Sequence, residues 1–360
     1  MASAEISKAP VNPDAMMNFA HKVVGDLAAA MNGPLVYMGD RLGIFEMLAS
    51  SGPLTAAQLA DKCNLNERYV REWCAAMTAG EYLKYDPAKG TFTLPAEHAM
   101  VLANEDSPVF AMGFAQMIPE HYRLIPRIIH HMQHGGGVPY ADYGDDTFIG
   151  TERFFSPGYK NFLATQWIAA MPEVLEKLKA GCVAADVGCG RGAALREMAR
   201  AFPKSQFVGL DNYAPGIDYA AAKARELGLD NLRFELCSSN SLPQGGKFDL
   251  IMTCDCVHDM VSPEACARSI FGALKNDGAW FAIEPHIKDR LEENINPIGK
   301  AFYSVSMLQC MSCSLAHGGA GYGAGMGEGN MRRIAQLAGF TRFRRLPIEN
   351  PFNQFFEIRK

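Results

Sequence analysis

The chain has 360 residues, 48% of them hydrophobic and 20% charged, with a formal net charge of −5 at pH 7. It is long enough for two domains with ordinary cores, and its acidic balance provides no general attraction to nucleic acid or to an anionic membrane surface. Its ten cysteines are scattered without the dense pairing of a secreted disulfide scaffold, which points to reduced thiols and the cytoplasm.

The opening stretch MASAEISKAPVNPDAMMNF has no basic segment followed by an apolar one, so no signal peptide is read. The longest uncharged run, 301–327, is broken by Ser, Gln, His and many Gly and is too polar to span a bilayer. Residues 15–50 predict one or two helices, with Leu35, Met38, Leu42, Ile44, Phe45 and Leu48 near helical spacing. Next come a helix over 56–62 capped by Thr55, a second begun by Asn64 or Asn66 and stopped by Gly80, and two short strands in YLKYDPAKGTFTL. That order is a winged helix. Residues 1–100 hold eight Lys/Arg against eleven Asp/Glu, and the second helix sets Glu67 and Glu72 among Arg68 and Arg71. Without a basic stripe to track phosphates, DNA is not the expected partner, and 1–100 reads as a dimerisation or substrate-capping module.

Residues 101–175 read as an apolar helical connector, interrupted by HHMQHGGGVPYADYGDD. His130 and His134 have the spacing of two metal ligands on one helix face, and equally that of imidazoles at a helix C-terminus. Tyr140 and Tyr143, beside flexible glycines, are candidates to line a substrate pocket. From 176 to the end, strand and helix alternate: CVAADVG, helix 191–202, QFVGLD, helix 213–226, LRFELCS, FDLIMTC, helix 262–275, GAWFAIEP. This predicts an α/β domain with a parallel sheet covered on both faces and ligands at the carboxyl ends of its strands.

The first of those ends carries Asp186, Gly188, Gly190 and Gly192, and the second carries Asp211 followed by Asn212. Glycines there allow sharp turning and close approach to a ligand, and Asp211 stands where it can accept from two ribose hydroxyls. The pattern Gly188-x-Gly190-x-x-Ala193 also satisfies the relaxed fingerprint of nicotinamide dinucleotide enzymes. Asp186 decides otherwise: a carboxylate would repel a pyrophosphate but can help hold the ammonium of an amino-acid tail, and S-adenosylmethionine has adenosine at one end and an amino acid at the other.

ADVGCGRG, VGLD, FDLIMTCDCVHDM and GAWFAIEP resemble, in order, the motifs of class I S-adenosylmethionine-dependent methyltransferases. A winged helix ahead of such a domain is similar to plant-type small-molecule O-methyltransferases. The GGGVPY and DRLEENINP stretches look closer still to bacterial and mycobacterial winged-helix methyltransferases. The resemblance covers nearly the whole chain and implies a Rossmann-like, seven-stranded sheet with its last strand antiparallel. TRFRRLPI and FNQFFEIRK would form the final hairpin, and a homodimer would form through 15–50 and the winged helix. It also implies that His258 in CDCVHDM is the catalytic base and that Glu284 in FAIEPH orients it. Ser238 and Ser239 stand where many relatives carry an Asp for the adenine amino group. Asp255 is expected on the cofactor side of its loop.

CDCVHDM also admits a zinc reading, with Cys254, Cys256 and His258 alternating onto one face of an extended segment and Cys310-x-x-Cys313 completing the set. Buried small thiols at a strand end are the commoner case, and no metal is assigned. An insertion at about 286–327 offers Phe302, Tyr303, Met307 and Met311 as an apolar lid. With so few charges in it, the expected acceptor is small and mostly apolar, methylated on oxygen or sulfur and less readily on nitrogen. A small-thiol methyltransferase and a cofactor-sensing regulator are the alternatives, and a nicotinamide oxidoreductase survives only through the glycine pattern.

Overall fold

The computed structural model describes residues 10–360, so the first nine residues of the stretch read for a signal peptide lie outside it. The chain divides into two compact units, Met1–Ile118 and Pro119–Lys360. The connector expected over 101–175 is therefore split between them.

In the first unit, α1 (Pro13–Arg41) and α2 (Ile44–Ser51) lead into α3 (Ala56–Cys63) and α4 (Glu67–Ala79), then β1 (Lys84–Asp86), β2 (Thr91–Thr93) and α5 (Ala96–Leu102). The strands pair antiparallel as the wing. Thr55 caps α3 in a reciprocal box with Gln58. Asn66, not Asn64, caps α4, and Asn64 instead closes α3 in the left-handed region. Ile44, Phe45 and Leu48 enter the core with Leu59, Trp73 and Met77, whereas Met38 and Leu42 are exposed. Arg68 and Arg71 are committed to Glu72 and Glu67 at 2.5 and 2.6 Å.

The long helix α6 (Met112–His134) contains Pro119 and Pro126, each of which withholds a backbone donor. Pro119 also begins the second unit. At the C-terminus of α6, the His134 ring N–H donates to the His130 carbonyl at 2.9 Å and the two exposed rings stack. The helix-end reading of that pair therefore holds. Next come α7 (Asp145–Gly158), a π-helical stretch (Tyr159–Trp167) and α8 (Pro172–Ala180).

Then β3 (Val183–Val187), α9 (Ala193–Ala201), β4 (Gln206–Asp211), α10 (Ala214–Glu226), β5 (Leu232–Leu236), β6 (Phe248–Cys254), α11 (Pro263–Ala273) and β7 (Leu274–Pro285) alternate as expected. The insertion forms α12 (Pro297–Val305), a π turn (Ser306–Cys310) and α13 (Met311–Leu315), and the chain ends with α14 (Gly327–Leu337), β8 (Arg342–Arg345) and β9 (Asn353–Arg359). The sheet order is β5-β4-β3-β6-β7-β9-β8, with only β9 antiparallel to its neighbours. This is the Rossmann-like arrangement, with the predicted hairpin at its edge.

Successive strand residues face opposite layers, because side chains alternate across a strand. Leu250, Met252, Phe281 and Ile283 pack with α9 and the Tyr159–Trp167 stretch, whereas Ile251, Trp280 and Ala282 pack with α11 and α14. Burial on both faces explains the almost unbroken apolar runs. The strand order reverses between β3 and β6, leaving a crevice at their carboxyl ends. Among the described residues, no helix is long and apolar enough to cross a membrane.

Trp280 is fully buried and its ring N–H donates to Thr253 Oγ1 at 2.9 Å. Trp280→Ala is expected to cost about 3–5 kcal/mol, read as a lower urea midpoint for the second unit, through the cavity and the orphaned hydroxyl.

Candidate active site

The turn from β3 into α9 is built on Gly188, Gly190 and Gly192, all at positive φ. A Cβ at Gly188 would lie 2.7 Å from Cys256 Sγ, and one at Gly192 2.5 Å from the Phe234 ring. Asp211 holds this loop: its Oδ2 accepts the Gly190 N–H at 2.8 Å and its Oδ1 the Tyr213 N–H at 2.9 Å. Each oxygen keeps lone-pair capacity for a further donor such as a hydroxyl. Arg191 braces the loop from outside, with its Nε 2.6 Å from Glu152 Oε2 and its guanidinium over the Tyr219 ring.

Asp186 is 2% exposed and its Oδ1 has no partner. Burial, with the charge of Asp211 added, pushes its carboxyl well above the usual range. Burial raises Asp211 too, against the pull of backbone N–H groups. Two desolvated carboxyls side by side favour a cationic ligand over an anionic one.

Beyond Cys254 the strand does not continue. Asp255 adopts a left-handed conformation at φ 50°, and Val257–Asp259 form a 3-10 turn. The expected alternation of Cys254, Cys256 and His258 onto one face is therefore lost, and the Cys256 thiol turns to the Val187 carbonyl. The same kink buries His258, 3% exposed, against the end of β7. Its Nδ1–H donates to Glu284 Oε2 at 2.6 Å, while Glu284 Oε1 accepts the Val257 N–H at 3.0 Å. Glu284 thus fixes the ring through Nδ1, and Nε2 is turned toward Asp259 and Cys310. Asp259 Oδ1 lies 3.0 Å from Nε2, yet that oxygen forms no hydrogen bond. Burial opposes charging His258, but the carboxylates of Asp259 and Glu284 outweigh it and hold the imidazole well above its usual pKa.

The other predicted residues divide. The Asp255 carboxylate accepts from Asn353 Nδ2 through both oxygens, at 2.7 and 2.8 Å. It is thereby tied to the start of β9. Asn212 is exposed beside Asp211. Exposed Ser238 takes part in the turn after β5, and Ser239 lies by Cys266. Burial and the charges of Asp211 and Asp259 raise the Tyr140 hydroxyl, and its ring packs against Phe148 and Tyr213. The Tyr143 hydroxyl instead donates to the Leu308 carbonyl, anchoring the 138–143 segment to the insertion.

The insertion is hydrogen-bonded onto the His258 loop. Gly323 N–H donates to the His258 carbonyl at 3.2 Å, and the Ser314 hydroxyl to that of Met260 at 2.9 Å. Tyr303 receives a donor from Asn294, Met311 packs by Gly323, and Phe302 is half-buried. Met307 is 38% exposed, because the π turn directs Gln309 and Cys310 inward in its place. Two further buried residues, singled out by no sequence motif, pack around these groups. His121 shares a hydrogen bond with Gln309 at 2.8 Å, and buried Tyr159 lies near Cys254, Asp255 and Asp186. Neither belongs to a motif, and only the fold brings them in.

Residues 30–104 match the family described as Rv2258c-like winged HTH domain, and residues 178–339 the family described as Methyltransferase domain. The chain couples a winged helix to a methyltransferase domain. The chain is 30% identical over 105 residues to (S)-coclaurine N-methyltransferase of Papaver somniferum, covering 29% of this chain and 30% of that one. It is 34% identical over 95 residues to a tRNA (guanine-N(7)-)-methyltransferase of Sodalis glossinidius, covering 24% of this chain and 40% of that one. The match thus spans well under half the length of these curated relatives. Human N-acetylserotonin methyltransferase, solved with S-adenosylmethionine, has a similar fold at a TM-score of 0.69 and 16% identity, over 99% of both chains. Mitomycin 7-O-methyltransferase superposes at 0.66 and 20% identity, over 96% of this chain and 99% of that one.

The His258 signal in an NMR titration of the methyltransferase domain in the intact protein should have its midpoint above the ordinary value of about 6.5. Asp259→Asn removes a neighbouring negative charge, so the midpoint should move to lower pH. An unmoved midpoint would show that Asp259 does not set the charge of the ring.

Proposed function

We propose that the protein transfers the methyl group of S-adenosylmethionine to a small, mostly apolar acceptor, on oxygen or sulfur and less readily on nitrogen. The observation that carries this reading is the pairing of buried carboxyls around a glycine turn with an oriented imidazole on the neighbouring strand ends. Asp186 and the turn at Gly188–Gly192 suit the cationic amino-acid tail, and Asp211 the ribose hydroxyls. Asn212, Ser238 and Ser239 are assigned to the adenosine end. When bound, the cofactor supplies an electrophilic methyl on a sulfonium and leaves as a neutral thioether. A pyrophosphate would meet desolvated negative charge instead, which disfavours a nicotinamide cofactor.

His258 Nε2 takes the proton of the acceptor as its oxygen or sulfur attacks, and the bond to Glu284 holds the ring and stabilises the imidazolium formed. Tyr140 and the inner side of the insertion shape the pocket and exclude water. Since His258 must be neutral to accept a proton, turnover should rise with pH through its elevated pKa.

The test is transfer of labelled methyl into pooled phenols, carboxylic acids, amines and small thiols, with the product identified. His258→Ala should lower turnover about 10²–10⁴-fold while leaving cofactor affinity nearly intact. Equal turnover in the variant would remove His258 from the mechanism, and absence of label with any acceptor despite cofactor binding would favour a sensor.

The chain is also proposed to form a homodimer. Met16, Phe19, Val23, Leu27 and Met31 form an exposed apolar stripe along α1, with exposures up to 76%. Introducing Phe19→Asp and Leu27→Asp together should convert a dimer to a monomer in sedimentation velocity, and a dimer that persists would place the interface elsewhere. The ten free thiols support a reducing, cytoplasmic home. Because Arg68 and Arg71 are engaged by glutamates, the winged helix is assigned to assembly and not to DNA.

A further inference from the structure

The pocket holds a donor set that methyl transfer does not require. His258 Nε2, an Asp259 carboxylate oxygen and Cys310 Sγ lie within 4.8 Å of one another. Imidazole, carboxylate and thiolate together suit Zn²⁺ and its analogue Co²⁺ better than Mg²⁺ or Ca²⁺, which prefer all-oxygen shells.

The spacing is close to what such an ion needs. Tetrahedral zinc with bonds of about 2.0–2.3 Å sets its ligand atoms about 3.3–3.7 Å apart. The 3.0 Å between His258 and Asp259 would open slightly, and the sulfur, within 4.8 Å of both, would close by at most about 1.5 Å. Two further observations point to a ligand. Asp259 Oδ1 is inaccessible and lies 3.0 Å from His258 Nε2 without a well-directed hydrogen bond to it. Glu284 accepts from His258 Nδ1 at 2.6 Å, the carboxylate–histidine support that zinc-bound imidazoles receive, leaving Nε2 with a fixed direction. Three protein donors leave a fourth position open.

We propose that His258, Asp259 and Cys310 bind one zinc-class divalent cation in the acceptor pocket, and that the ion-loaded state is inhibited. A single Nε2 lone pair cannot hold an ion and take a proton at once. The binding stands apart from the methyl-transfer reading, and the inhibition rests on it.

The experiment titrates the full-length, chelator-treated protein with Co²⁺. One equivalent should give visible tetrahedral cobalt bands and a near-ultraviolet thiolate-to-cobalt band. Cys310→Ser should abolish the thiolate band, and Glu284→Gln should weaken binding about 10–100-fold. Cys254→Ser should leave both unchanged. Asp259→Asn, which keeps the side-chain shape, provides a second ligand variant and should also weaken binding at least about tenfold. Absence of the thiolate band in the parent, or its survival in a folded Cys310→Ser, would overturn the site. Zn²⁺ should displace cobalt and stop labelled-methyl transfer, with recovery on chelation. Full transfer by the zinc-loaded protein would overturn the inhibition, whereas a cobalt band in a protein that never transfers methyl would overturn the methyl-transfer reading and uphold the site.

Discussion

Negative charge taken out of water is the constraint on which the rest of this structure turns. Parallel strands put their carboxyl ends on one edge, and here those ends carry Asp186, Asp211, Asp255 and Glu284. Desolvation of such groups is costly unless each finds a donor or a positive charge. Asp211 is satisfied by the backbone of the glycine loop, Asp255 by the amide of Asn353, and Glu284 by His258. Asp186 keeps an unsatisfied oxygen, so the edge is left with a deficit of positive charge. The loop after β3, the kink after β6 and the start of β9 all answer the same electrostatic demand.

The insertion and the 138–143 segment then enclose what the sheet edge exposes. Each contact has a backbone group on one side: the Tyr143 hydroxyl donates to the Leu308 carbonyl, the Val138 N–H to the Ser312 hydroxyl, and the Gly323 N–H to the His258 carbonyl.

Much of this was legible in the sequence. Alternating apolar runs gave the strands, Thr55 and the wing gave the first unit, and the glycines with Asp186 and Asp211 located the site. His258 and Glu284 followed from resemblance, and the structure places them in hydrogen-bond contact. What the sequence hid depended on single dihedrals and distant partners. A strand-like reading of CDCVHDM failed because Asp255 turns left-handed, drawn to Asn353 at a separation of 98 residues. The inward turn of Gln309 and Cys310 was not legible either, since helical spacing assumes a regular helix and the π turn at Ser306–Cys310 breaks it.

That π turn has a further meaning. A π turn is an α-helix carrying one surplus residue, and each helical residue advances the side-chain direction by about 100°. The surplus is what brings Gln309 and Cys310 inward while α12 and α13 keep their own packing. Losing one residue here would restore regular winding and rotate a different set of side chains over the imidazole, with the flanking helices unchanged. Which side chains of the insertion face His258 can therefore be changed by chain length alone, without touching the residues that line the sheet edge.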